Sequence, residues 1–225
     1  PHENKGKETI LRMSGYEKSS SISKLYDPSN SPKALPSAKL LAQFDDPDDI
    51  RRQRLLHYNP VYEGYDDDTH GYEMDACVKY YVNDKYKKDN NGLYGHSDPF
   101  VVRCSEMYLI RAEAYCRKND FTKAGNDLTA LRKMRYASGG TLNVSKNNWL
   151  QTISDERLRE LYMEGFRLHD LKRWHKGFER KPQANSQAEG SSLKIEADNP
   201  LFVWPIPQHE LEAPGSEILP NESNR

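Results

Sequence analysis

Cysteine is scarce in this chain: Cys77, Cys104 and Cys116 are the only three. None stands in a C-x-x-C pair, which argues against a disulfide framework and against structural zinc and leaves ordinary buried or half-buried thiols. An excess of one charge is also missing. Lys and Arg total 33 against 34 Asp and Glu, a formal net charge of -1, and no basic block supplies the phosphate-neutralising footprint of a nucleic-acid binder. No apolar run approaches the roughly 20 residues needed to cross a bilayer. Nothing in Pro1 to Ile10 has the basic-then-apolar character of a signal sequence, so the start is expected to be trimmed, processed or simply unseen. G-x-S-x-G, phosphate-loop and dinucleotide fingerprints are absent. His57, His70, His96, His169 and His175 show no metal-ligand spacing. The acidic groups Asp45-Asp46, Asp48-Asp49 and Asp66-Asp67-Asp68 lack the alternation and Gly of an EF-hand loop and read as solvated turns. No metal or cofactor is expected.

What is present divides in texture at about residue 100. Residues 1–100 are rich in Ser, Asp, Asn, Pro and Tyr and punctuated by turn clusters such as Asp27-Pro28-Ser29-Asn30-Ser31-Pro32. A short strand is expected over Glu8 to Met13 and a short helix over Ser37 to Phe44, with Leu40, Leu41 and Phe44 inward. Residues 101–225 turn to helical periodicity, and the two regions together are expected to form one domain. Ser105 is a candidate cap for a helix whose apolar stripe runs through Tyr108, Ala112 and Tyr115, widened by Met107, Ile110 and Ala114. Asp120 then caps a second helix with Phe121, Ala124, Leu128, Leu131 and Met134 at spacings of three and four, stopped by Gly139-Gly140. This αα-hairpin resembles a tetratricopeptide repeat, which relies on a neighbouring repeat to cover its face, so further repeats are implied. A third helix is expected from about Asn148 to Met163, bent at Gly165 before Phe166 to His175. Arg180 to Lys194 reads as a loop, Leu201 to Trp204 as an extended run, and Gly215 to Arg225 as a surface tail.

Glu156, Glu160 and Glu164 lie four apart, on one helix face. Paired carboxylates are the equipment of a glycoside hydrolase, but Arg157, Arg159, Arg167, Arg173 and Asp170 lie close in sequence, and an ion-pair network bracing the Gly165 bend is the favoured reading.

Tyrosine is the conspicuous excess, 14 against 6 Phe and 3 Trp. A Tyr ring offers a flat apolar face and a hydroxyl, which suits a sugar with C–H bonds on one face and hydroxyls at its edge. Tyr16 and Tyr26 lie in a Ser-rich, Pro-ended stretch, and Tyr58-Asn-Pro-Val-Tyr62-Glu-Gly-Tyr65 places three tyrosines around Gly64. These five are the candidate glycan-binding residues, with Tyr72, Tyr86 and Tyr94 secondary. The competing reading of the Tyr58 to Tyr65 cluster is a β-meander whose tyrosines pack on the scaffold.

Several segments in order are similar to the SusD/RagB family. Arg103-Cys-Ser-Glu-Met-Tyr-Leu-Ile-Arg-Ala-Glu-Ala114 resembles its signature helix, and the run from Glu156-Arg157 through Gly165-Phe-Arg167 to Arg173-Trp174 resembles its most specific motif. Pro205-Ile-Pro207-Gln-His-Glu210-Leu211 resembles its closing motif, Phe44 with Asp49-Ile-Arg51 its upstream segment, and Lys7-Glu8-Thr9-Ile10 the opening of its second half. Ala213-Pro214 and Pro220-Asn221 depart from the family pattern near the end. The resemblance implies a mainly α, tetratricopeptide-like scaffold with a loop-rich, glycan-facing region. It implies a protein of the outer membrane and cell surface, held by an N-terminal lipid anchor not present in this chain. Such a protein captures oligosaccharides or polysaccharides for a SusC-like TonB-dependent transporter and catalyses nothing, and this chain corresponds to its C-terminal portion. The rival readings are a helical-repeat protein–protein adaptor without glycan affinity and a glycoside hydrolase using two of Glu156, Glu160 and Glu164.

Overall fold

The strongest periodic stretches fold as helices in a computed structural model that describes residues 8–12, 36–52, 56–58, 75–77, 79, 100–180 and 194–224. The chain divides into two compact units, Pro1–Glu164 and Gly165–Arg225.

In the first unit, β1 (Thr9–Arg12) pairs antiparallel with β4 (Phe100–Arg103), with register shifts along the pair. Between them in sequence come α1 (Ala38–Ala42) and a second antiparallel pair, β2 (Leu56–Tyr58) and β3 (Asp75–Cys77). The chain passes directly from β4 into α2 (Cys104–Arg117), turns, and returns as α3 (Phe121–Arg132); α4 (Trp149–Leu161) follows and packs on α2.

Capping and burial explain these limits. The Ser37 side chain accepts from the Leu40 amide at 3.2 Å and starts α1, and Asp120 accepts from the Lys123 amide at 3.1 Å and starts α3. Leu109 and Ala112 of α2, Ala124 and Leu128 of α3 and Ile153 of α4 are sealed from solvent, which makes the hairpin the apolar centre. Phe44 and Tyr162 meet edge to face at 6.0 Å and close a second cluster with Leu40.

Four sequence expectations are corrected here. Helix α2 begins at Cys104 with no side-chain cap, and the Ser105 hydroxyl instead accepts from the Arg103 guanidinium. Its buried stripe is Ser105, Leu109, Ala112 and Cys116, flanked by buried Glu106 and Glu113, while Met107, Tyr108 and Ile110 face outward. Met134, expected inward, lies past the end of α3 and is 69% exposed. Asp49 is buried at 1% and ion-paired rather than part of a solvated turn; Asp66 to Asp68 lie outside the described residues.

The second unit opens on Gly165 in the left-handed region, φ 84°, and continues as α5 (Phe166–Arg173), whose Asp170 and Leu171 are buried. A short pair, β5 (Phe178–Glu179) with β6 (Lys194–Ile195), sits beside Phe202, whose ring meets Phe178 edge to face at 6.3 Å. The expected extended run at 201–204 opens instead as a 3-10 turn over Pro200–Phe202, where the Asn199 side chain accepts from the Leu201 amide and caps it, and the backbone is extended at Val203. After α6 (Gln208–Leu211), the last residues are fastened rather than free. The Asn224 amide group both accepts from the Ile206 N–H at 3.0 Å and donates to its carbonyl at 2.9 Å, and Asn221 donates to the Trp204 carbonyl at 2.8 Å. Among the described residues no helix is long and apolar enough to cross a membrane.

Candidate functional site

Of the three glutamates expected on one helix face, Glu156 and Glu160 share a face of α4, whereas the helix ends at Leu161 and Glu164 joins them from beyond it. The three side chains are 0%, 3% and 2% exposed. Carboxylates this deep need compensating charge and full hydrogen bonding.

The partners come mainly from far along the chain. The backbone of residues 48–51 is held against the turn after α3: the Ile50 amide donates to the Arg135 carbonyl at 3.0 Å and Ala137 to the Asp48 carbonyl at 3.1 Å. This presents Arg51 beneath α4, between the rings of Phe44 and Tyr136. Arg51 grips Asp49 through Nε–Oδ1 at 2.9 Å and Nη2–Oδ2 at 2.7 Å, and its Nη1 reaches Glu156 at 2.9 Å and Glu160 at 3.0 Å. Arg103, at the β4–α2 junction, meets Glu164 with Nε at 2.9 Å and Nη2 at 2.8 Å, and its Nη1 reaches Glu160 at 2.6 Å and Glu8 at 2.9 Å. Arg135 bridges Glu160 at 2.8 Å and Glu8 at 2.7 Å. Lys79 donates to Glu164 and to the carbonyls of Glu160 at 2.9 Å and Tyr162 at 3.1 Å. Arg159 holds Glu156 at 2.7 Å and Gln43 at 3.0 Å.

This arrangement fixes the charge states. Burial pushes the Glu160 carboxyl up, but the guanidinium charges of Arg103, Arg135 and Arg51 and the bond from Arg135 outweigh it and hold the group well below the usual carboxylate range. Burial likewise opposes the charge on Arg51 and Arg103, and the surrounding carboxylates raise both above the ordinary arginine value. Lys79 is the exception. Burial pulls its ammonium below the usual lysine range, with Arg103 adding to the fall and Glu164 and Glu160 opposing it.

A general acid must be protonated near the working pH and must touch substrate. Glu160 is locked in the ionised form and covered, and Glu156 and Glu164 are covered with it, so this cluster is structural. Of the neighbours named from sequence, Arg159 reaches a glutamate of the cluster, and Arg173 pairs with Asp170 at 2.9 Å within the second unit. Arg51, Lys79, Arg103, Arg135 and Glu8 were not assigned to the cluster from sequence. Arg51 and Arg103 were legible only as members of motif segments, and Lys79 carries no sequence signal.

Of the candidate glycan residues, Tyr16, Tyr26, Tyr62 and Tyr65, with Tyr72, Tyr86 and Tyr94, lie outside the described residues. Tyr58 closes β2 with its backbone opposite Asp75. Among the described residues no group of three His, Cys, Asp or Glu side chains is arranged to hold a metal ion.

The model of the SusD family matches residues 52–216. A SusD superfamily protein from Bacteroides vulgatus superposes with a TM-score of 0.70 at 24% identity, over 96% of this chain and 46% of its own. One from Bacteroides thetaiotaomicron gives 0.70 at 22% identity, over 92% and 47%. A SusD-like carbohydrate binding protein from Bacteroides vulgatus gives 0.51 at 28% identity, over 67% and 29%. The chain thus spans about half the length of the first two solved structures. No curated protein matches it.

Proposed function

The chain belongs to the SusD/RagB family, and from that premise we propose that it is part of a cell-surface protein that captures oligosaccharides or polysaccharides and delivers them to a SusC-type TonB-dependent outer-membrane transporter. The whole protein is anchored in the outer membrane by lipid and catalyses no reaction; hydrolysis belongs to other proteins. The observation that carries this reading is the family match over residues 52–216, with the helical scaffold of the solved relatives behind it. The relative described as a SusD-like carbohydrate binding protein supports the ligand class, and the sealed, ionised state of Glu160 speaks against a hydrolase.

The ligand contacts are proposed on Tyr16, Tyr26, Tyr58, Tyr62 and Tyr65. Affinity electrophoresis or isothermal titration of the full-length protein against a polysaccharide panel tests the function. At least one glycan is expected to bind, and Tyr62→Ala or Tyr65→Ala to weaken it roughly tenfold, the scale of one lost aromatic contact. No ligand anywhere on the panel sinks the function; unchanged affinity in both replacements sinks the site.

One observation favours an adaptor as the second reading. Met107, Tyr108 and Ile110 form an exposed apolar strip on α2, of the kind that marks protein contact. Co-purification with a membrane β-barrel in the absence of any glycan affinity is its signature.

A further inference from the structure

The end of the second unit carries two exposed apolar runs, Leu201, Val203 and Trp204 on one and Ile218 and Leu219 on the other. Trp204 is 83% and Leu219 81% exposed. Side chains of the tail hold the runs beside each other. Asn221 donates to the Trp204 carbonyl at 2.8 Å, Ser223 donates to the carbonyls of Val203 at 2.6 Å and of Pro200, and Asn224 holds both backbone groups of Ile206. The Ser216 hydroxyl donates to the Glu210 carbonyl at 2.8 Å, so the segment bearing Ile218 and Leu219 is fixed at both ends. Pro205 and Pro207 stiffen the other run.

Single exposed apolar residues are ordinary on a protein surface. Five of them, on two adjoining runs whose backbones are pinned, form a contact face already shaped for its occupant. Its frame is acidic. Glu210, Glu212, Glu217 and Glu222 are all exposed, residues 195–224 contain no Lys or Arg, and His209 is their one basic side chain. A second copy turned face to face would set acids against acids, and an anionic lipid surface would be repelled for the same reason.

The occupant that fits is apolar at its centre and basic at its edge. A Trp and a Leu this bare belong to a permanent interface, which is more apolar than a transient one. A permanent cover is most simply part of the same polypeptide. More than half of each of the two solved relatives that superpose with a TM-score of 0.70 lies outside the portion this chain covers.

We propose that Leu201, Val203, Trp204, Ile218 and Leu219 are the seat for the part of the full-length polypeptide that lies outside these 225 residues, with lysines or arginines of that part on the acidic rim. The seat is independent of the glycan reading and stands or falls without it.

Hydroxyl-radical footprinting of the full-length protein, diluted until it sediments as a monomer, tests the cover. Trp204 and Leu219 are expected to be oxidised at less than about a tenth of their rate in the same protein unfolded in urea, as in the core of an interface. Oxidation near the unfolded rate overturns the proposal. Protection that appears only as concentration rises assigns the face to a second copy, and protection that appears only on adding the transporter assigns it to that partner; either result overturns the proposal too. A benzophenone amino acid placed at position 204 of the full-length protein then locates the cover. Its photo-cross-link is expected on a residue outside this chain's sequence and within the same molecule. A cross-link confined to residues 1–225, or none at all, sinks the assignment.

Discussion

Arg103 and Glu164 meet fork to fork across 61 residues of chain, Nε to Oε2 at 2.9 Å and Nη2 to Oε1 at 2.8 Å. A guanidinium is the side chain that can do this and still spend its third nitrogen on Glu160 and Glu8. The Arg103→Lys variant keeps the charge and loses the fork. Its three donors do not span the same set of oxygens, so at least one buried carboxylate oxygen is left without its donor. A loss of about 2 kcal/mol is expected, read as a lower urea midpoint with an unchanged m-value.

Removing the central carboxylate is more damaging. Glu160 is the carboxylate that Arg51, Arg103 and Arg135 share. Glu160→Gln leaves two buried guanidiniums and the half-buried one of Arg135 short of a negative charge, and breaking such a cluster from one side costs about 3 to 5 kcal/mol. A catalytic role predicts the opposite pattern, a variant of wild-type stability that has lost reducing-sugar release. Thermal unfolding and a reducing-sugar assay on the same preparation separate the two.

The same residue governs the acid limb of stability. Its native pKa lies well below the usual value, while in the unfolded chain it returns to about 4.3. Between those two values the unfolded state binds more protons, so stability is fully present above about pH 4.3 and falls as pH drops toward the native value. The wild type is expected to lose stability steadily below about pH 4, and Glu160→Gln to show a shallower slope there. Equal slopes in denaturant titrations at several acid pH values remove Glu160 from the account.

The helices were legible because long periodic stretches with caps leave few alternatives: Asp120 starts α3 as its sequence position implies. The phase of α2 was not, because Glu106 and Glu113 are buried beside Leu109 and Ala112 while Met107, Tyr108 and Ile110 are exposed. A stripe counted in apolar residues is rotated off such a face. Glu156 and Glu160 were legible as a helix face, but Glu164 lies past the helix end, four of the cluster's cations come from residues 51, 79, 103 and 135, and no spacing rule connects positions that only the fold brings together. Leu128 and Met134 test the same point by experiment. Both fit the apolar repeat, yet Leu128 is fully buried and Met134 is 69% exposed. Leu128→Ala is expected to cost about 3 kcal/mol through its cavity and Met134→Ala less than about 0.5 kcal/mol, measured by chemical denaturation.

Gly177 sits where the backbone of its own unit leaves no room for a side chain. A Cβ built on it would stand 2.2 Å from the Ile195 carbonyl oxygen and 2.8 Å from the Glu196 carbonyl carbon. Both contacts are backbone atoms of the strand opposite and its exit, so no rotamer change relieves them. Gly177→Ala must push β5 and β6 apart, which also disturbs Phe178 where it meets Phe202. An overpacking loss of about 2 kcal/mol is expected. It should appear as lost amide protection at Phe178–Glu179 and Lys194–Ile195 by hydrogen exchange, with the protection of α2 and α3 unchanged. Gly165→Ala is the matched control. Its added Cβ meets nothing within 4 Å, and only the left-handed φ of 84° opposes it, so a smaller loss of about 1 kcal/mol with β5–β6 protection intact is expected. Identical protection patterns in the two variants would mean that close approach is not what keeps glycine at 177.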